Sequence, residues 1–307
     1  MIALSEGVHD FRDAARAQLS CPSSCTNDPQ KPLYRVLTST QTCAVAQVTR
    51  DRTERTLSVA SNKTIVGLGR GAALRGVSMD LGSSQNIVVR NVALFDVNPN
   101  LIEAGDAFNL NKASQVWLDH CTIKRASDGF TEGSSKNTTL SWMHYDGVTP
   151  FECDGQHTLS ATFTDATVTV HHSFFDHVET HSPTVHNASS RVHLFNNLLA
   201  DNLGYGVGSV CGAQVLLEGN VLERVAVPTS RSFCDDDTNL GLISAPEGSN
   251  WYRDDVGPHH GGDGKEPHDA VFKPAYSYTL ASPQAVWLEV LTRAGTGGPW
   301  AQALNSD

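Results

Sequence analysis

The chain has no run of about 18 apolar residues, the length a helix needs to cross a bilayer, so nothing in it reads as a membrane span. It has no excess of positive charge: the formal net charge is −11 over 307 residues. Nucleic acid is thereby excluded as a partner, because phosphate binding needs a basic face. It has no CxxC pair, and Cys21 and Cys25 have no second pair at zinc-like spacing. It has no leader-like start either, since MIALSEGVHDFRDAARAQLS carries acids early and lacks a long apolar core. It lacks the composition of a disordered chain, with 39% apolar and 18% charged residues. No helical period of useful length runs through the centre.

The seven cysteines (Cys21, Cys25, Cys43, Cys121, Cys153, Cys211 and Cys234) read as a few disulfides in an exported protein plus at least one unpaired thiol. Sequons at Asn62, Asn137 and Asn187 point the same way. The expectation is an extracellular protein, and a monomer.

What the sequence does have is a repeat. Six segments align: IVVRNVAL from Ile87, VWLDHCTI from Val116, TTLSWMHY from Thr138, VTVHHSFF from Val168, VHLFNNLL from Val192 and VLLEGNVL from Val215. Successive starts lie 29, 22, 30, 24 and 23 residues apart, the range of one solenoid coil. The columns are chemically uniform. One reads Ile87, Val116, Thr138, Val168, Val192, Val215, and another Val89, Leu118, Leu140, Val170, Leu194, Leu217. Apolar residues at period two mean short strands with one buried face, and stacked coils bury a continuous interior. A β-sandwich also has many short strands, but it does not predict one residue class in one column six times over. The expected fold is all-β, a single right-handed parallel β-helix over residues 1–307. Its repeat core covers about 55–225, preceded by a less regular segment 1–54 and followed by a tail 226–307. A weaker coil begins at Asn62, a short helix is expected in AVWLEVLTRAG, and residues 257–269 read as a loop. Asn197 and Asn220 share a corner column that suits the left-handed conformation. His120, Trp142 and His172 share another and are expected to stack.

Three segments, NKTIVGLG from Asn62, VWLDHC from Val116 and VHLFNN from Val192, resemble hallmark segments of the pectate/pectin lyase family (polysaccharide lyase family 1) in order and approximate spacing. The tail VFKPAYSYTLASPQAV is similar to the end of many members, and the resemblance covers roughly residues 55–285. It implies a parallel β-helix that cleaves pectate, the pectic polysaccharide, by β-elimination. That chemistry needs a base for the C5 proton of a uronate, neutralisation of the adjacent carboxyl, and help for the leaving oxygen. The resemblance places Asp106, Asp128 and Glu132 at a calcium site. Hard carboxylate oxygens suit that ion, and it would offset the repulsion between a chain of −11 and a polyanion. The family's arginine base aligns with His181 in His181-Ser182-Pro183-Thr184-Val185-His186, and its last basic position with His186. His181 is the expected base, with His186 at the substrate carboxylate or leaving oxygen. The family's lysine is replaced by the neighbourhood of Gln156 and His157, expected to contact substrate.

Two alternatives stand beside calcium-assisted pectate cleavage. One is a calcium-independent pectin lyase on methyl-esterified substrate, suggested by Asn98-Pro99-Asn100 and the Glu152–His157 segment. The other is a non-catalytic β-helix that binds acidic sugar. Hydrolysis by paired aspartates in adjacent coils has no matching cluster. His171, His172, His177, His181, His186 and His193 could suggest a transition metal, but alternation along a strand should point His171 and His172 to opposite faces.

Overall fold

The computed structural model describes residues 1–12, 16–19, 50–53, 56–99, 105–150, 152, 155–234, 238–254, 256–261 and 264–297. Three long sheets, of nine, nine and eight strands, are parallel throughout. Sheet I runs from Ile2–Leu4 through Gln85–Arg90, Ser114–Asp119, Thr138–Ser141, Thr167–His171, Arg191–Phe195 and Gln214–Glu218 to Leu242–Ser244. Sheet II receives the strand that follows each of these, such as Thr122–Ala126 and Phe174–Asp176. Sheet III then takes the chain into the next coil through Phe108–Asn109, Thr131–Gly133, Ala161–Thr164, Thr184–His186 and Tyr205–Val210. One strand per sheet per turn is a parallel β-helix, wound in the right-handed sense that crossover connections take.

The six aligned segments pair in register, with Val116 opposite Ile87, Thr138 opposite Val168, and Val192 opposite Val215. Their alternate residues (Val89, Leu118, Leu140, Val170, Leu194 and Leu217) are fully buried in one apolar cluster. Tyr145 and Phe175 stack inside it at 4.7 Å. The helix extends beyond the expected repeat core at both ends. Ile2–Leu4 and Gly7–Asp10 form a first coil, and Val227–Ser232, Leu242–Ser244 and Trp251–Arg253 continue the three sheets. The expected C-terminal helix is Pro283–Arg293, capped by Ser282, whose hydroxyl accepts from the Ala285 amide.

The corner between sheets I and II carries a buried ladder of side-chain amides. Asn197 donates to Asn220 Oδ1 at 2.9 Å, and Asn220 donates to Asn250 Oδ1 at 3.1 Å. The left-handed residue is one position earlier than expected: Asn196 and Gly219 have φ of 55° and 66°, while Asn197 and Asn220 are not among the residues with positive φ. The same column holds His120, Trp142 and His172, at φ of 50°, 52° and 53°. Bulky residues are uncommon there. The rings stack at 5.6 and 4.6 Å, and Arg293 lies over Trp142 at 4.5 Å, which offsets the backbone cost.

The bend at His172 also reverses strand alternation locally. His171 and His172 therefore turn toward each other, Nδ1 to Nδ1 at 2.8 Å, rather than to opposite faces. Burial lowers both pKa values to about 4. The folded state thus binds fewer protons than the unfolded chain below the ordinary histidine value. Stability is complete above about pH 6.5 and is lost as pH falls toward 4. Unfolding free energies measured in urea across that window should fall, by a few kcal/mol at most because the two imidazoles are coupled. His171→Phe should flatten the slope, and an unchanged slope would show that other groups set it.

Cys211 and Cys234 form a disulfide, and Cys121 is a buried free thiol whose pKa is pushed up to about 12 by burial. Cys21, Cys25, Cys43 and Cys153 lie outside the described residues. Among the described residues no helix is long and apolar enough to cross a membrane.

Candidate active site

The turn from sheet II into sheet III gathers the predicted acids. Asp106 precedes Phe108–Asn109, Asp128 precedes Thr131–Gly133, and Glu132 lies within that second strand, opposite Asn109. Two consecutive coils thus deliver three half-buried carboxylates to one place, with an oxygen of each within 4.8 Å of the others. Gly129 makes room, since a Cβ at that position would overlap the Glu132 carboxylate. Oxygens bound to one calcium at 2.3–2.6 Å stand at most about 5 Å apart, so this donor set fits that ion. Among the described residues the histidines form no comparable group of three ligand side chains.

His181 reaches the same edge two coils further on. It lies in the turn before Thr184–His186, with φ of 59°. Sheet III pairs Glu132 with Thr162 and Thr162 with Thr184, so the acidic and imidazole positions differ by two strand spacings, about 10 Å. The hydrogen bonds around His181 fix its protonation pattern. Thr180 Oγ1 donates to the Thr158 carbonyl at 2.6 Å, which uses its one proton. It can then only accept from His181 Nδ1, 2.7 Å away, so Nδ1 carries the ring proton and Nε2 the lone pair. Tyr205 OH stands 3.1 Å from His181 Nδ1, 3.2 Å from its Nε2 and 3.0 Å from Thr184 Oγ1. Gly208 leaves space for the contact, because a Cβ there would meet Thr184 Oγ1 at 2.7 Å and the Tyr205 ring at 2.9 Å. Tyr205 is absent from the sequence expectations. It sits one coil further along in YGVGSV, a strand without clean alternation, and its place opposite His181 emerges only once the coils are stacked.

His186 ends the same strand. It sits opposite Thr164, one outward row across from Thr162 and Thr184. Burial lowers its pKa, so near neutrality it offers hydrogen bonds rather than positive charge.

Gln156 and His157 are expected at the substrate, and the structure uses them otherwise. His157 is 1% exposed and stacks on Phe130 at 4.3 Å. One ring nitrogen meets Glu152 at 2.6 Å and the other the Asp128 carbonyl at 2.8 Å, which leaves no ring nitrogen for a ligand. Gln156 is buried too: it donates to the Asp201 carbonyl at 2.7 Å and accepts from the Leu203 amide at 3.3 Å. Both clamp loops. His157 braces the Asp128 backbone, and so acts on the carboxylate cluster from behind.

A sequence profile described as pectate lyase matches residues 36–297. The chain belongs to the pectate lyase family. Relatives within reach of it include "Probable pectin lyase F-2" of Aspergillus terreus, 32% identical over 58% of this chain and 39% of that protein. "Pectin lyase B" of Emericella nidulans is 31% identical over 55% of this chain and 46% of that protein. The chain thus spans about half the length, or less, of the curated relatives it matches. Among solved folds, a pectate lyase of Paenibacillus sp. 0602 superposes with a TM-score of 0.63 at 19% identity, covering 82% of this chain and 78% of that one. Pectate lyase II of Xanthomonas campestris gives 0.62 at 21% identity, covering 80% of each chain. These likenesses establish the family's fold for this chain.

Proposed function

We propose that this chain cleaves pectic polysaccharide outside the cell by β-elimination, with His181 as the base and calcium held by Asp106, Asp128 and Glu132. The observation that supports the reading is the hydrogen-bond arrangement at His181. A threonine that can only accept leaves Nε2 as the basic atom, on the edge of sheet III that also carries the acids. Bound calcium would neutralise the uronate carboxyl and so lower the cost of charge building up beside C5. His181 Nε2 takes the C5 proton. Tyr205, whose pKa is raised by burial, stays protonated and is placed to hold the imidazole or donate to the leaving oxygen. His186 hydrogen-bonds substrate from the outer face of sheet III.

A second reading is favoured by the names of the sequence relatives: cleavage of methyl-esterified pectin, whose neutral carboxyl needs no calcium. One ultraviolet assay for unsaturated uronate separates the two. Polygalacturonate and highly methylated pectin are each supplied with calcium or with chelator. The proposal expects product from polygalacturonate with calcium, and a fall to background with chelator. Product from methylated pectin regardless of chelator would move the assignment to the second reading. No product in any arm would leave a sugar-binding β-helix.

A further inference from the structure

The outer face of sheet I is a groove on a different side of the coil from the acids and His181. Two cavities, about 620 and 510 Å³, share Thr139 and His171 and so form one trough. The register explains its shape. One outward row reads Val88, Trp117, Thr139, Thr169, His193 across successive coils. Bulky Trp117 stands at one end, two threonines form the floor, and the tail returns to lay Tyr276 and Tyr278 over the other end. Tyr276 OH is pinned there by Thr169 Oγ1 and by His193 Nδ1, both at 2.7 Å. The aromatic ends are accessible: Trp117 is 42% exposed, Tyr276 44% and Tyr278 36%.

The charges of this groove are internally satisfied. Arg90 and Asp119, the base and the acid that line it, meet at 2.9 Å. Asp119 also accepts from Ser141 at 2.6 Å and contacts His120 at 2.9 Å, and Ser141 in turn accepts from the Trp117 indole at 2.8 Å. Glu218, beyond the closed end, is taken by His193 at 3.0 Å. His171 and His172 are kept uncharged near neutrality by burial.

From the trough's shape and its paired charges, we infer that the outer face of sheet I is a second carbohydrate-binding site, which takes a neutral, methyl-esterified stretch of a pectic chain. Rings at both ends supply flat apolar faces for sugar C–H surfaces, and the hydroxyl floor supplies donors and acceptors. A polyanion finds little net charge here, because the Arg90 cation is paired with Asp119. From Trp117 to His193 the trough crosses four strands of sheet I, about 14 Å along the coil axis, the length of a short run of sugars. The choice of pectic chain rests on the reading above; the preference for a neutral ligand does not.

The test is affinity electrophoresis of the full chain through gels containing highly methylated pectin or polygalacturonate, at equal ionic strength. The chain, Trp117→Ala and Tyr278→Ala would each be run. Retardation by methylated pectin should weaken roughly five- to tenfold in each variant, the scale of one lost aromatic contact. Retardation by polygalacturonate should not change. Trp117→Phe keeps the ring but loses the hydrogen bond to Ser141, and should restore most of the retardation. Equal retardation of all forms in methylated pectin would overturn the inference, as would a loss confined to polygalacturonate. The elimination assay on short soluble substrate is read alongside. Its failure with retardation intact would remove the lyase reading and leave the groove standing.

Discussion

Replacing His181 with asparagine is expected to reduce elimination by about 10²- to 10⁴-fold, the usual contribution of a positioned base. Asparagine is the cleaner replacement because it tolerates the left-handed backbone at this position, whereas alanine adds strain at φ of 59°. It can still meet Thr180 but cannot take a proton at neutral pH. The surrounding bonds, Thr180 to the Thr158 carbonyl and Tyr205 to Thr184, do not depend on the imidazole, so the thermal midpoint should move little. KM should change less than kcat. Tyr205→Phe should cost less, since it removes a donor and leaves the basic nitrogen. Full activity in His181→Asn would place the base elsewhere on sheet III.

Replacing Asn220 with leucine is expected to give the largest loss of stability, about 3–5 kcal/mol, although the two side chains branch alike. The amide is fully buried and has five polar contacts, with the two N–H groups of Nδ2 shared among three acceptors. Oδ1 accepts from the Asn197 backbone and side chain, each at 2.9 Å. Nδ2 donates to the carbonyls of Leu194 and Glu218 and to Asn250 Oδ1, each at 3.1 Å. Leucine would fill the space and leave a backbone N–H and two carbonyls in a dry corner. Each such orphan costs about 1–3 kcal/mol. Chemical denaturation followed by circular dichroism reads the effect. A loss under about 1 kcal/mol would show that the corner takes up water or that the ladder adds little to the stacking.

These two residues also mark where the sequence speaks and where it stops. The six segments align to the correct residue because every coil must turn one side chain in two toward the same interior, and that requirement is written in each coil separately. The acids were expected from the family resemblance, not from the periodicity, and the stacked coils bring Asp106, Asp128 and Glu132 together. The αL column was misplaced by one residue because asparagine suits both a left-handed backbone and a buried amide bond, and at Asn197 and Asn220 the second use applies. The first coil, in IALSEGVHD, has too few apolar residues to announce itself and is defined by its pairing with Lys63–Gly67 and Ala72–Arg75. The burial of Gln156 and His157 was not legible, because their partners, Glu152, Asp128, Asp201 and Leu203, are contributed by loops whose path no periodicity encodes. Alternation does not hold at His171 and His172, because a single positive φ at His172 cancels it.

The distance from the acids to His181 is a whole number of coils. In a molecule built this way, that separation is quantised. Point changes can tilt or trim the two groups, but the gap between them can grow or shrink only by inserting or removing a complete turn, in steps of about 4.8 Å. Strand lengths, core columns and amide ladder would pass through such an event unaltered, because each turn touches only its neighbours. Coil number between Glu132 and Thr184 therefore acts as a gauge, and lineages that gained or lost a turn there would address a differently spaced pair of sites on the same polymer.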